Sequence, residues 1–124
     1  MIKEPIFELQ AELCKAIANP RRLELINALR EGEKRVNELV AIVGIPKANV
    51  SQHLSFLRHK GLVEARKEGV SIYYSLADPR ILEACSIMKE VLVGQMKRSS
   101  KLFKKVSGRA FFIIDAFNGL NVSI

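Results

Sequence analysis

The chain has 124 residues, enough for one domain with a single buried core. With 48% hydrophobic and 27% charged residues, no tryptophan, and no apolar run of transmembrane length, it reads as a water-soluble domain built on Leu, Ile and Val, expected in the cytoplasm. Two cysteines without a CxxC or Cys/His cluster exclude a disulfide scaffold and a zinc finger, and a net charge of +7 points to polyanionic partners, chiefly nucleic acid.

The first residues, MIKEPIFELQAELCK, are interrupted by charges too often for a signal peptide. Ile6, Leu9, Leu13 and Ile17 recur at helical spacing and predict an amphipathic first helix over Ile6–Ala18. Asn19-Pro20 then ends it and opens another: Asn caps through its side-chain oxygen, and Pro fits a first turn where its missing N–H has no partner to lose. This second helix is expected to run to about Glu31 and stop at Gly32. Val36, Leu39, Val40 and Val43 fall at i, i+3, i+4 and i+7 and make one apolar face of a short third helix. Gly44-Ile45-Pro46 breaks it, and a fourth helix follows over about Lys47–His59 with Val50, Leu54 and Leu57 inward.

After Gly61 the period changes to two. Leu62–Lys67 and Ser71–Leu76 alternate as strands, with Glu68-Gly69 as the expected turn. A lone two-stranded hairpin is not stable, so it must pack on the helices. Asp78-Pro79 repeats the cap-plus-proline start, and a long fifth helix carries Ile81, Leu82, Cys85, Met88, Val91, Leu92 and Met96, reaching past Gly94 to about Val106. We therefore expect a winged domain over residues 1–107 and a tail of undefined structure over 108–124. The charge is uneven: up to Asp78 there are 12 Lys/Arg against 10 Asp/Glu, and from Pro79 onward 8 against 3. The acid-free basic stretch Lys97–Arg109 is a solvated helix end or an extra phosphate contact.

The order helix, helix, helix, turn, helix, hairpin, helix predicts a mainly α fold with a small β-hairpin, a winged helix-turn-helix. In such a fold the second helix of the pair enters the major groove, where base edges carry a distinct donor and acceptor pattern. With Val50, Leu54 and Leu57 inward, the outward side of Lys47–His59 carries Ala48, Ser51, Gln52, Ser55 and His59, with Asn49 on a flank. Gln and Asn pair bidentately with adenine and Ser serves several bases. Solvated helix faces are usually rich in Glu and Lys, whereas Lys47–His59 contains no acid. The expected DNA-contacting set is Lys47, Ala48, Asn49, Ser51, Gln52, His53, Ser55 and His59, with Arg66 and Lys67 on the hairpin reaching phosphates or the minor groove. No Walker loop, GxSxG or paired His/Asp is present, so no enzyme is expected.

The run ALREGEKRVNELVAIVGIPKANVSQHLSFLRHKGLVEARKEGVSIYYSL, above all VNELVAIVGI, VSQHLSFLRHKGLV and EGVSIYYSL, resembles the ArsR/SmtB family of repressors. The upstream AIANPRRLELINAL resembles the family's second-helix opening, so the likeness covers roughly Cys14 to Val93. It implies a homodimer joined through the first and fifth helices, bound to an operator in double-stranded DNA until a metal, metalloid, thiol-reactive species or other signal releases it.

Three departures from the family pattern stand out. Lys34–Val40 holds none of the thiols of the soft-metal sensors. Of the fifth-helix zinc site only Asp78 remains, with Arg80, Val91 and Gly94 where ligands would be needed. Pro46-Lys47-Ala48 replaces a frequent Ser at the start of the recognition helix. No metal and no cofactor are therefore expected. Cys14 and Cys85, on the two dimer helices, are either a redox or effector pair or small buried hydrophobes. Against a sequence-specific repressor stand a winged-helix module that binds a protein, and a nucleic-acid binder that works by charge alone.

Overall fold

The computed structural model describes residues 5–99. Its elements run α1 (Ile6–Ile17), α2 (Pro20–Ala28), β1 (Lys34–Arg35), α3 (Val36–Val43), α4 (Lys47–His59), β2 (Val63–Glu68), β3 (Ser71–Leu76) and α5 (Arg80–Arg98). Asn19 caps α2 as its sequence implies. Its side-chain oxygen accepts from the backbone N–H groups of Arg21 and Arg22 at 2.9 and 3.2 Å. Asp78 does the same for the N–H of Arg80 at 2.9 Å where α5 begins.

α3 and α4 form a helix-turn-helix around Gly44, whose left-handed backbone (φ 74°, ψ 29°) lets its N–H close on the Val40 carbonyl. Glu38 reaches back from the first turn of α3 to accept the Arg35 N–H at 3.0 Å. That bond and the neighbouring guanidinium hold its carboxyl below the usual range. The core lies beneath this pair. Leu25 and Ile26 of α2, Leu39 of α3, and Val50, Leu54 and Leu57 of α4 have no solvent exposure. Each fully buried side chain of this kind contributes roughly 1.5–3 kcal/mol relative to exposure. Among the described residues no polar or charged side chain is buried.

The wing has three strands, not two. β3 is central, paired antiparallel with β2 on one side and β1 on the other, in the order β1-β3-β2. β1 lies outside any alternating pattern, because two residues suffice when the partner strand supplies the template. Its formation also shortens α2, which stops at Ala28 instead of about Glu31. The chain then leaves through tight turns (Arg30 N–H to Asn27 O, Gly32 N–H to Leu29 O) to reach the sheet. The hairpin turn is Gly69-Val70, one residue later than Glu68-Gly69, since Glu68 still pairs with Ser71. Gly69 takes φ 61°, the positive value that a two-residue hairpin loop calls for.

Residues through Leu82 form one compact unit, and those from Glu83 a second. In the second, Cys85, Val93 and Met96 are buried, whereas Ile87, Met88, Val91 and Leu92 are exposed, so α5 is apolar on two adjoining faces. The helix ends at Arg98. The expected continuation to Val106, most of the basic stretch and the tail lie outside the described residues.

Candidate nucleic-acid interface

α4 is anchored by its three buried residues, and this fixes which side faces out. Ala48, Asn49, Gln52, Ser55 and His59 are exposed, Ser51 is half-buried, and Lys47 stands exposed at the first position. Eight expected contact residues thus lie on α4, and seven of them form its outward surface or its rim. His53 is the eighth. It is half-buried on the flank toward α2, where burial and the nearby Arg22 guanidinium push its pKa below 6.5.

That flank is held by Arg22, which the sequence reading did not single out. Its guanidinium donates to the carbonyls of Ala16 (2.5 Å) and Lys15 (3.4 Å) at the end of α1, and lies 4.4 Å over the Phe56 ring of α4. One side chain therefore caps the C-terminus of α1 and braces the recognition helix. Lys60 approaches the same ring at 5.7 Å. Phe56, still 37% exposed, is the aromatic at the edge of the reading face.

A cleft of about 360 Å³ lies between α4 and the wing, lined by Lys47 and Ser51 of α4, Asn37 of α3, and Ser71, Ile72 and Tyr74 of β3, among others. Asn37 and Ser71 become neighbours of the recognition helix only through the fold. The two cations of β2 are not equivalent. Strand alternation sends Lys67 to the same face as Ile72 and Tyr74, two of the residues that line the cleft. Arg66 lies on the opposite face. There its Nη2 and Nε donate to Glu33 at 2.6 and 3.2 Å, its Nη1 donates to Glu68 at 2.6 Å, and its plane covers Tyr73 at 4.7 Å. The guanidinium hydrogen bond holds the Glu33 carboxyl below its ordinary pKa, and the two carboxylates raise that of Arg66.

Cys14 is exposed on α1 and Cys85 is buried on α5, and both are free. Burial pushes the Cys85 thiol upward, partly offset by Lys89. Asp78 is claimed by Arg80 at 2.7 Å, which with its backbone bond lowers its pKa to about 2. Among the described residues no group of three or more His, Cys, Asp or Glu is placed to hold a metal ion, and no helix is long and apolar enough to cross a membrane.

Comparison with known proteins places this geometry. Residues 19–65, from the α2 cap through α4 into the wing, match the model of the arsR family of bacterial regulatory proteins. The HTH-type transcriptional regulator Rv0081 of Mycobacterium tuberculosis is 39% identical over 93 residues, 74% of this chain and 82% of that protein. Its crystal structure superposes with a TM-score of 0.69 at 36% identity, covering 77% of this chain and 97% of the other. The HTH-type regulator CmtR of M. tuberculosis is 39% identical over 83 residues, 67% of this chain and 70% of its own length. A homodimeric winged helix-turn-helix DNA-binding domain of Mycobacterium bovis, Mb0332, gives a TM-score of 0.68 at 28% identity, over 80% of this chain and 96% of that one. Match and geometry agree: the chain belongs to the arsR family of bacterial regulatory proteins and is a winged helix-turn-helix, DNA-binding transcription regulator.

Proposed function

We propose that the chain is a homodimeric repressor that reads an operator through α4. The observation that carries this is the outward face of α4: small or hydrogen-bonding side chains, no acid, over a fully buried apolar row. Gln52 and Asn49 are the adenine-reading pair, Ser51, Ser55 and His59 the adaptable donors and acceptors, and Ala48 a partner for a thymine methyl. Lys47, which lines the cleft between α4 and wing, and Lys67, on the sheet face of Ile72 and Tyr74, are the phosphate contacts that add affinity but no sequence information. His53 and Arg66 are left out of the contacting set, for the geometric reasons given above.

Homodimerisation is supported by two sets of uncovered apolar side chains, Ile6, Phe7, Leu9 and Leu13 on α1 and Ile87, Met88, Val91 and Leu92 on α5, and by the homodimeric M. bovis neighbour. Repression is the reading taken because solved neighbours include proteins named as transcriptional repressors, PagR of Bacillus anthracis and BigR of Xylella fastidiosa. Release from DNA is assigned to a thiol-reactive signal, with Cys14 and Cys85 as the thiols and Cys14 the one that solution meets first.

The test is a gel shift on a duplex selected by the protein from a randomised pool, with a random duplex as control. Gln52→Ala is expected to weaken the selected duplex by about 1–3 kcal/mol and relax its sequence preference. Diamide is expected to release the wild type but not Cys14→Ser or Cys85→Ser. Equal binding of selected and random duplex by the wild type leaves a charge-only binder. No binding to either leaves a protein-interaction module. Insensitivity to diamide removes the cysteines from the signal.

A further inference from the structure

Arg66 sits on the wing of a DNA-binding protein, yet its charge is already spent. Glu33 takes two of its nitrogens in a bidentate fork and Glu68 takes the third, all at 2.6–3.2 Å, while the Tyr73 ring covers one face of the plane. Fork geometry with a planar stack is the case in which a partly exposed ion pair holds a fixed shape, unlike a single exposed contact. One cation between two carboxylates has its charge more than matched by its own partners.

The placement of the partners says what the cluster does. Arg66 belongs to edge strand β2, and Tyr73 is its direct partner on central strand β3. Glu33 immediately precedes β1, the other edge strand, and β1 leads directly into α3, the first helix of the helix-turn-helix. The Arg66 side chain therefore lies across the central strand and fastens the outer edge of the wing to the entry of the DNA-binding helix pair. β1 itself pairs with β3 through only Lys34 and Arg35, so this side-chain tie adds to a short ladder. Lys67, the next residue, lies on the other face of the sheet, with Ile72 and Tyr74.

We infer that Arg66 is a positioning residue, which with Glu33, Tyr73 and Glu68 sets the wing against the helix-turn-helix, while Lys67 is the wing cation that meets phosphate. This rests on the DNA-binding reading of α4 and the wing. It has an experimental sign that a direct phosphate contact cannot reproduce. If Arg66 touched DNA, removing its carboxylate competitor would free it and tighten binding. If Arg66 positions the wing, removing the competitor breaks the tie and weakens binding.

The experiment measures binding of a random-sequence 30-base-pair duplex by fluorescence anisotropy across a salt series, using the full chain as wild type, Arg66→Ala, Glu33→Gln and Lys67→Ala. Glu33→Gln and Arg66→Ala are expected to weaken binding by a similar factor, about fivefold, with the slope of log affinity against log salt unchanged. Lys67→Ala is expected to lower that slope by about one. Tighter binding by Glu33→Gln, or a slope reduced by about one in Arg66→Ala, overturns the inference. Amide hydrogen exchange on the free proteins gives a readout without DNA. Residues of β1 and β3 are expected to exchange faster in Glu33→Gln and Arg66→Ala and unchanged in Lys67→Ala. Unchanged exchange in the first two overturns the tie. A wild type that binds no duplex refutes the DNA reading itself, while the exchange data still decide whether the tie exists.

Discussion

At the scale of single residues, side chains alike in sequence take different tasks by virtue of which face they fall on. His53 and His59 share α4, but His59 is exposed on the outward face whereas His53 is half-buried against α2 with its pKa lowered by burial and by Arg22. The sign of the linkage follows. An unfolded His53 titrates near 6.5 and binds a proton before the folded one does, so stability is intact above that pH and falls as pH drops through it. The urea midpoint of the wild type is therefore expected to decline from pH 7.5 to 5.5, and His53→Gln to flatten that decline. An equal slope in the variant would show that other groups cause it. Neither task could be read from the letter H. Helical spacing gives an angle around α4 for each His, but the half-turned position of His53 becomes a buried flank only once α2 is packed there.

At the scale of elements, local chemistry wrote most of the boundaries. α3 and α4 begin and end where apolar spacing, Gly44-Ile45-Pro46 and Gly61 place them, and Asn19 caps α2 as its position before Pro20 implies. Gly44 is the decisive joint. Its φ of 74° is a region that a side chain enters at a cost, though no atom lies within 4 Å of where a Cβ would stand. Gly44→Ala is thus expected to cost about 1–2 kcal/mol from backbone conformation alone, with Gly44→Asn costing less because Asn tolerates the left-handed region. Thermal melts of the two variants check this, and equal melting temperatures for wild type and Gly44→Ala would mean the turn relaxes. Where the elements departed from expectation, a partner strand was responsible. β1 exists because β3 pairs with it, α2 is shorter because the chain must reach β1, and the hairpin turn moves to Gly69-Val70 because Ser71 holds Glu68 in register.

At the scale of the whole molecule, the unresolved balance is apolar surface. Phe7 of α1 is 82% exposed and Met88 of α5 67%, and each belongs to a group of uncovered aliphatic neighbours. Apolar patches of this kind on a small chain mark an interface. In the homodimer proposed here both groups are covered by a second copy. A two-fold pair then presents two copies of α4 to half-sites about 34–36 Å apart. Val91→Glu and Leu9→Glu are expected to shift the sedimenting species from dimer to the 13.9 kDa monomer with helicity retained. Losing bivalent binding should weaken operator affinity by roughly 100-fold. A wild type that sediments as a monomer at micromolar concentration would refute the dimer.

The sequence by itself determined the fold class, the helix-turn-helix with its turn, and the outward face of α4. Each depends on interactions within a few residues: the 3.6 and 2.0 periods of apolar side chains, a cap, a glycine in a positive-φ turn. What only the tertiary structure decided depends on residues far apart in the chain. It set Arg22 over Phe56, half-buried His53 beside α2, brought Asn37 and Ser71 to the recognition helix, and gave Arg66 to Glu33, 33 positions away. A basic residue beside a hairpin turn reads as a phosphate contact until its neighbours are known. Charge is a property of the side chain, but whether that charge is available is set by the carboxylates the fold places within hydrogen-bond reach.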